Sequence, residues 1–219
     1  DTASDLGTSN TDKITSDNTP TINIGTLVSG AVITLTATPA SGTAVACSFT
    51  AGSTTGSCTF STLPDGTYSI TATQTYNGAT SVASTALAGI VIDATKPTVT
   101  LSATVGAGTN VVSGTNDTIA RNTAINTYTI KATFSESVSG LLMSEITKDA
   151  ASTGWSIGST LTGSGATYTF SATNSGVVVN IEGKLLLRIS EGVAVDVAGN
   201  TNSATTSDFV INSVARVDF

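Results

Sequence analysis

Histidine is missing from this 219-residue chain, and methionine, tryptophan and cysteine are nearly so, with one, one and two copies. Without His the commonest general base is gone, and with it the Ser-His-Asp and Cys-His arrangements that activate a nucleophile. Two thiols alone do not complete a structural zinc site. Charge is scarce as well: only 11% of residues are Asp, Glu, Lys or Arg, too few to dress the solvent faces of many helices. Basic residues are the scarcer sign, 8 against 15 acidic ones for a net charge of −7. A phosphate backbone or an anionic membrane surface is repelled by that balance, so nucleic-acid binding is excluded as a function class. No apolar run approaches the ~20 residues of a membrane span, and the opening DTASDLGTSN lacks the basic flank and apolar core of a signal peptide. The sequence is expected to begin inside a mature protein and not to insert into a bilayer.

What fills the chain is Thr, Ser and Gly, arranged with a period of two. In AVITLTATP, Val32 or Ile33, Leu35 and Ala37 face one side while Thr34, Thr36 and Thr38 face the other, the pattern of a half-buried strand. GTYSITATQT repeats it with Tyr68, Ile70 and Ala72, and NTYTIKATF with Tyr128, Ile130, Ala132 and Phe134; ATYTFSAT and KLLLRIS are further strands. Pro64-Asp65-Gly66, Asn77-Gly78 and Gly163-Ser164-Gly165 supply turns between such runs. The reading is all-β. The length suits two domains of about 100 residues. IDATKPTVT marks the boundary, because a strand ending at Ile92 meets a short polar segment and Pro97 opens a new alternating run, where a proline costs no ladder bond. Pro20 in SDNTPTINIG plays the same part in the first half. One stretch, GLLMSEITKDA at 140–150, is rich enough in helix formers to give a helical turn, and a short inter-strand turn is the conservative reading.

Cys47 and Cys58 stand on strand-like segments either side of a Gly- and Ser-rich turn, which predicts a disulfide across a hairpin and an oxidising compartment. The alternative is a pair of reduced core thiols. The single Trp155, in GWSIG, is either packed in a core or exposed for stacking on a sugar.

SDLGTSNTDKITSDNTPTINIG, LPDGTYSITATQT and IVIDATKPTVT together resemble the repeat of bacterial Ig-like domains found in large adhesins and biofilm-associated surface proteins. TIKATFSESVSG, GSGATYTFSAT and GVAVDVAGNTNSA are similar to a sister type of that repeat. The resemblance implies two tandem immunoglobulin-like β-sandwiches, 1–93 with an acidic N-terminal lead and 94–219, in a bacterial extracellular or cell-surface protein. It implies a role as spacer, stalk or adhesive module with neighbouring repeats of the same chain as its first partners. Tyr68 after Leu63-Pro64-Asp65-Gly66 resembles a tyrosine corner, whose hydroxyl bonds to backbone upstream. Where such repeats carry an Asp-x-Ala-Gly-Asn loop, the first half has Thr75-Tyr76-Asn77-Gly78, while the second keeps Asp196-Val197-Ala198-Gly199-Asn200.

A glycosidase pair needs two carboxylates flanking a cleft, and Glu136, Glu145, Glu182 and Glu191 stand on scattered segments; no enzymatic activity is expected. Calcium is the more physical use of these acids, because hard oxygen ligands suit Ca²⁺ and extracellular modules bind it at about 10⁻⁴ to 10⁻³ M. In an immunoglobulin-like sandwich the B-C and F-G loops share the N-terminal end. On that topology Asp93 in the linker, Glu136 at the end of a B strand, and Asp196 and Asn200 in an F-G loop converge on the domain junction. Asp1, Asp5, Asp12 and Asp17 in the polar lead form a second, weaker candidate cluster. Three functions share this fold and charge: a calcium-stiffened stalk segment, a module that grips a glycan or surface protein, and an accessory domain of a secreted carbohydrate-active enzyme.

Overall fold

The computed structural model describes residues 3–105, 111–113, 117–120, 127–174 and 183–212. Among the described residues the regular structure is strand apart from one 3₁₀ turn, Met143–Glu145, which lies within the segment that favours a helical turn and leads straight into a short strand. The chain divides into two compact units. Unit 1 comprises Asp1–Thr95 and Val197–Asn200; unit 2 comprises Lys96–Asp196 and Thr201–Phe219.

In unit 1 the strands are β1 (Ile14–Thr15), β2 (Thr21–Gly25), β3 (Val32–Pro39), β4 (Val45–Thr50), β5 (Thr55–Thr59), β6 (Gly66–Tyr76), β7 (Ala79–Thr80) and β8 (Leu87–Ile92). One sheet runs β1-β8-β6-β3-β4, with β7 also on β6, and β2 pairs with β5 in a second, two-stranded sheet. All pairings are antiparallel except β1 with β8, where Ile14 lies opposite Val91 and Thr15 opposite Ile92. The period-two pattern puts Ile33, Leu35 and Ala37 of β3 and Tyr68 and Ile70 of β6 inward, where they close with Leu27, Phe60, Leu63, Ile90 and Ile92 into one core. Thr34 and Thr36 stay half-exposed on the other face, opposite Thr73 and Thr71 of β6. Val32 is 46% exposed, so the inward set of β3 begins at Ile33.

Cys47 and Cys58 form a disulfide, but not across a hairpin. β4 pairs with β3 and β5 pairs with β2, so the bond crosses from one sheet to the other. The turn between the two strands is the place where the chain changes sheets, a distinction that strand-turn-strand patterning does not carry. The Tyr68 hydroxyl donates to the Pro64 carbonyl at 2.8 Å, the geometry of a tyrosine corner. Burial, and then the nearby Asp65 charge, raise the Tyr68 pKa above that of a free phenol.

In unit 2 the strands are β9 (Val99–Val105), β10 (Val111–Ser113), β11 (Asp117–Ala120), β12 (Thr127–Val138), β13 (Ile146–Lys148), β14 (Trp155–Ile157), β15 (Thr162–Asn174), β16 (Gly183–Ile189) and β17 (Thr205–Asn212). They form a five-stranded sheet β10-β9-β12-β15-β14 and a four-stranded sheet β11-β17-β16-β13. Tyr128, Ile130, Ala132 and Phe134 of β12, Tyr168, Phe170 and Ala172 of β15, and Leu185, Leu187 and Ile189 of β16 share one core. Alanines at 132 and 172, both 0% exposed, leave room for the larger rings between them: Phe134 meets Tyr168 edge-on at 5.9 Å. Trp155 is 5% exposed and lies 5.3 Å from the Tyr128 ring, so it packs in the core and offers no surface for stacking on a sugar. No helix among the described residues is long and apolar enough to cross a membrane.

Candidate functional site

The connection between the last two strands of unit 2, residues 190–204, is irregular backbone, and a buried asparagine organises it. Asn202 is 0% exposed. Its side-chain oxygen accepts from the Val193 and Ala194 amides at 3.0 and 2.8 Å, and its Nδ2 donates to the Ser190 and Ser203 carbonyls at 2.9 and 2.8 Å. All four hydrogen-bonding positions of the amide are thereby used, so a polar group buried at this cost also fixes the loop. Asn202 was not singled out in the sequence, and only its place two residues beyond the Ala-Gly-Asn run could have drawn attention to it.

With the loop held this way, Val195 exchanges two backbone bonds with Ser139, at 2.8 and 2.9 Å, just past the end of β12. That pairing brings Asp196 to the irregular last part of β12, where the register with β15 shifts between Thr133 and Val138 and where Glu136 stands. Glu136 lies inside β12, two residues short of its end. A carboxylate oxygen of Glu136 and one of Asp196 come within 4.8 Å of each other, and Asp196 is 1% exposed. Two carboxylates that close repel each other unless a cation or a proton neutralises one of them. Hard oxygen donors on short side chains suit Ca²⁺ better than a softer metal.

Asp93 and Asn200 belong to unit 1, because residues 197–200 are part of that unit. The Asn200 Nδ2 donates to the Asp93 carbonyl at 2.7 Å, and the Asp93 side chain accepts from the Thr95 amide at 3.2 Å. The same four-residue segment accepts from the Thr8 amide at Val197 (3.2 Å) and from the Ser16 amide at Ala198 (3.0 Å). Two glycines allow the approach. Gly7, at φ +124°, would place a Cβ 2.4 Å from the Val197 oxygen, and Gly199, at φ +96°, would place one 3.0 Å from the Gly7 Cα.

In the acidic lead, each described carboxylate is turned to its own backbone. Asp12 accepts from the Ile14 amide and Asp17 from the Thr19 amide, the two-residue bonds by which Asp shapes turns, while Asp5 accepts from the Lys13 amide eight residues on. Asp5, Asp12 and Asp17 are not gathered at metal-binding separations among the described residues, and Asp1 lies outside those residues.

Unit 1 also carries a groove of about 530 Å³ between β2 and the segment 81–85, reaching down to Ile33, Leu35 and Ile70. Its lining holds no charged and no aromatic residue, so the stacking platform usual in sugar recognition is missing from it.

Residues 1–94 match the family model described as a bacterial Ig-like domain. A search of curated proteins found no match.

Proposed function

We propose, starting from the match of residues 1–94 to the bacterial Ig-like domain family model, that the chain is a non-catalytic stalk segment of a bacterial surface or secreted adhesin, stiffened by Ca²⁺. The observation that carries this reading is the approach of the Glu136 and Asp196 carboxylates to within 4.8 Å of each other, with Asp196 1% exposed. The candidates for one shared ion are Asp93, Glu136, Asp196 and Asn200, with backbone carbonyls or water completing a shell of roughly six to eight oxygens.

The physical role of the ion is to cancel the repulsion of the Glu136 and Asp196 carboxylates, which otherwise opposes the ordered state. An ion bound only to that state raises apparent stability by RT ln(1 + [Ca²⁺]/Kd), about 1.4 kcal/mol at ten times Kd. The test is calorimetric titration with Ca²⁺ at millimolar concentration, paired with small-angle scattering in calcium and in chelator. Binding together with a narrower distribution of particle dimensions in calcium supports the stiffened stalk. Absence of heat, and scattering indifferent to chelator, removes the metal from the proposal.

The groove beside β2 supports a second reading, a module that grips a ligand itself. Its uncharged lining, with an aliphatic floor of Ile33, Leu35 and Ile70 and no aromatic ring, favours an extended peptide over a glycan, and a screen against glycans and surface proteins separates the two readings.

A further inference from the structure

The parallel pair in unit 1 is small, but its place in the chain gives it a mechanical meaning that its length does not suggest. β1 is the first strand of the unit and β8 the last, and they run in the same direction. Tension along the chain first loads the lead, whose Ser4, Asp5, Leu6 and Thr8 are hydrogen-bonded within unit 1, then reaches β1 from its Lys13 side and leaves β8 at its Asp93 side, so it pulls the two strands past each other. Bonds across such a pair are strained together and must fail together. An antiparallel pair pulled from neighbouring ends loses its bonds one at a time.

The Val91 amide donates to the Lys13 carbonyl at 2.8 Å and the Asp93 amide to the Thr15 carbonyl at 3.0 Å. Residues 197–200 then brace both strands at that end: the Ser16 amide, just after β1, donates to Ala198, and Asn200 donates to Asp93, just after β8. Thr15, 3% exposed, ties the strand inward as well, its hydroxyl accepting from the Leu6 and Asp17 amides at 3.1 and 2.9 Å.

We propose that unit 1 is built to resist tension along the chain, with the β1–β8 pair as a shear clamp, residues 197–200 as its latch, and the Cys47–Cys58 bond as a limit on extension once the clamp fails. The proposal rests on the reading of the chain as a stalk, since only a chain held in series carries tension.

The experiment is single-molecule force spectroscopy on the full chain, pulled from its two ends in chelator so that no metal contributes. The disulfide identifies the unit 1 event, because adding reductant lengthens the chain released in that event alone, by about 33 Å for 11 residues at ~3.6 Å each less the 6.2 Å Cα separation. End-to-end pulling is expected to need at least twice the force required when handles are attached at Ser29 and Asn77, which peel β3 from β6 at their neighbouring ends. Gly7→Val, whose side chain cannot share space with the Val197 carbonyl, is expected to lower the end-to-end force by a third or more, while Ser41→Ala, at an exposed residue, leaves it unchanged. Equal forces in the two pulling geometries overturn the clamp, and an unchanged force in folded Gly7→Val overturns the latch. Should Gly7→Val fail to fold, the comparison of pulling geometries in the unaltered chain still decides the clamp. These forces do not depend on where the protein resides or whether it binds calcium, so the stalk reading can fail while the clamp stands.

Discussion

Reducing the Cys47–Cys58 bond is the sharpest perturbation of unit 1, because the β2–β5 sheet has only two strands and this bond is its covalent tie to the larger sheet. The loop it closes spans 11 residues, and on the chain-entropy account a loop of that size stabilises the folded state by about 2.8 kcal/mol. For a domain of this size each kcal/mol moves the midpoint by about 4 to 8 °C, so a fall of roughly 11 to 22 °C is expected. The assay is differential scanning calorimetry in chelator on three samples: the oxidised protein, the protein in a phosphine reductant, and the Cys47→Ala/Cys58→Ala double variant. Unit 2 contains no cysteine, so its transition is the internal control. The reasoning is refuted if the unit 1 midpoint moves by less than about 2 °C, or if both transitions move together. An intermediate shift carried mainly by a lower unfolding enthalpy would place the effect in native-state contacts instead of chain entropy.

Tyr68→Phe removes the bond to the Pro64 carbonyl and is expected to cost about 1 kcal/mol, read by urea denaturation. Because the folded pKa of Tyr68 is raised, the contribution of its neutral phenol is complete below the ordinary value near 10 and is lost as pH rises through the folded value; the Phe variant should show less of that alkaline decline. Leu35→Ala, at a site 0% exposed, should cost about 2 to 5 kcal/mol in the same assay. Asp196→Asn should abolish calcium heat in calorimetry while leaving the chelated protein no less stable, since it removes one of two close carboxylates; a titration unchanged from the parent would exclude Asp196 as a ligand. Lys96 lies 2.6 Å from Glu191 and, through that hydrogen bond first and its charge second, lowers the Glu191 pKa. What this pair contributes is present above the usual Glu range and lost as pH falls through the folded value, and it is weak because both side chains are exposed. A carboxyl-carbon NMR titration should show Glu191 returning to the ordinary range in Lys96→Met.

Alternation by twos was enough to read the fold class and the inward faces of β3, β6 and β12, and to find β15 and β16 as strands, because in a half-buried strand each side chain's environment follows from its parity alone. Two cysteines in a chain without other thiols were enough to pair Cys47 with Cys58, and Leu-Pro-Asp-Gly-Thr-Tyr to anticipate the Tyr68 bond, since both are set by residues close in sequence. What sequence could not decide was which strands pair. The turn between Cys47 and Cys58 reads the same whether the chain folds back on its own sheet or crosses to the other, and only the packing of Phe49, Leu27 and Cys58 around one core settles it. The parallel joining of β1 to β8, and the return of residues 197–200 to unit 1, bring together positions about 77 and more than 180 residues apart in the chain. No local pattern encodes such separations. They arise because Gly7 and Gly199 leave space for one another and because Asn202, buried with every hydrogen bond satisfied, holds the loop in the one shape that presents Asp196 beside Glu136.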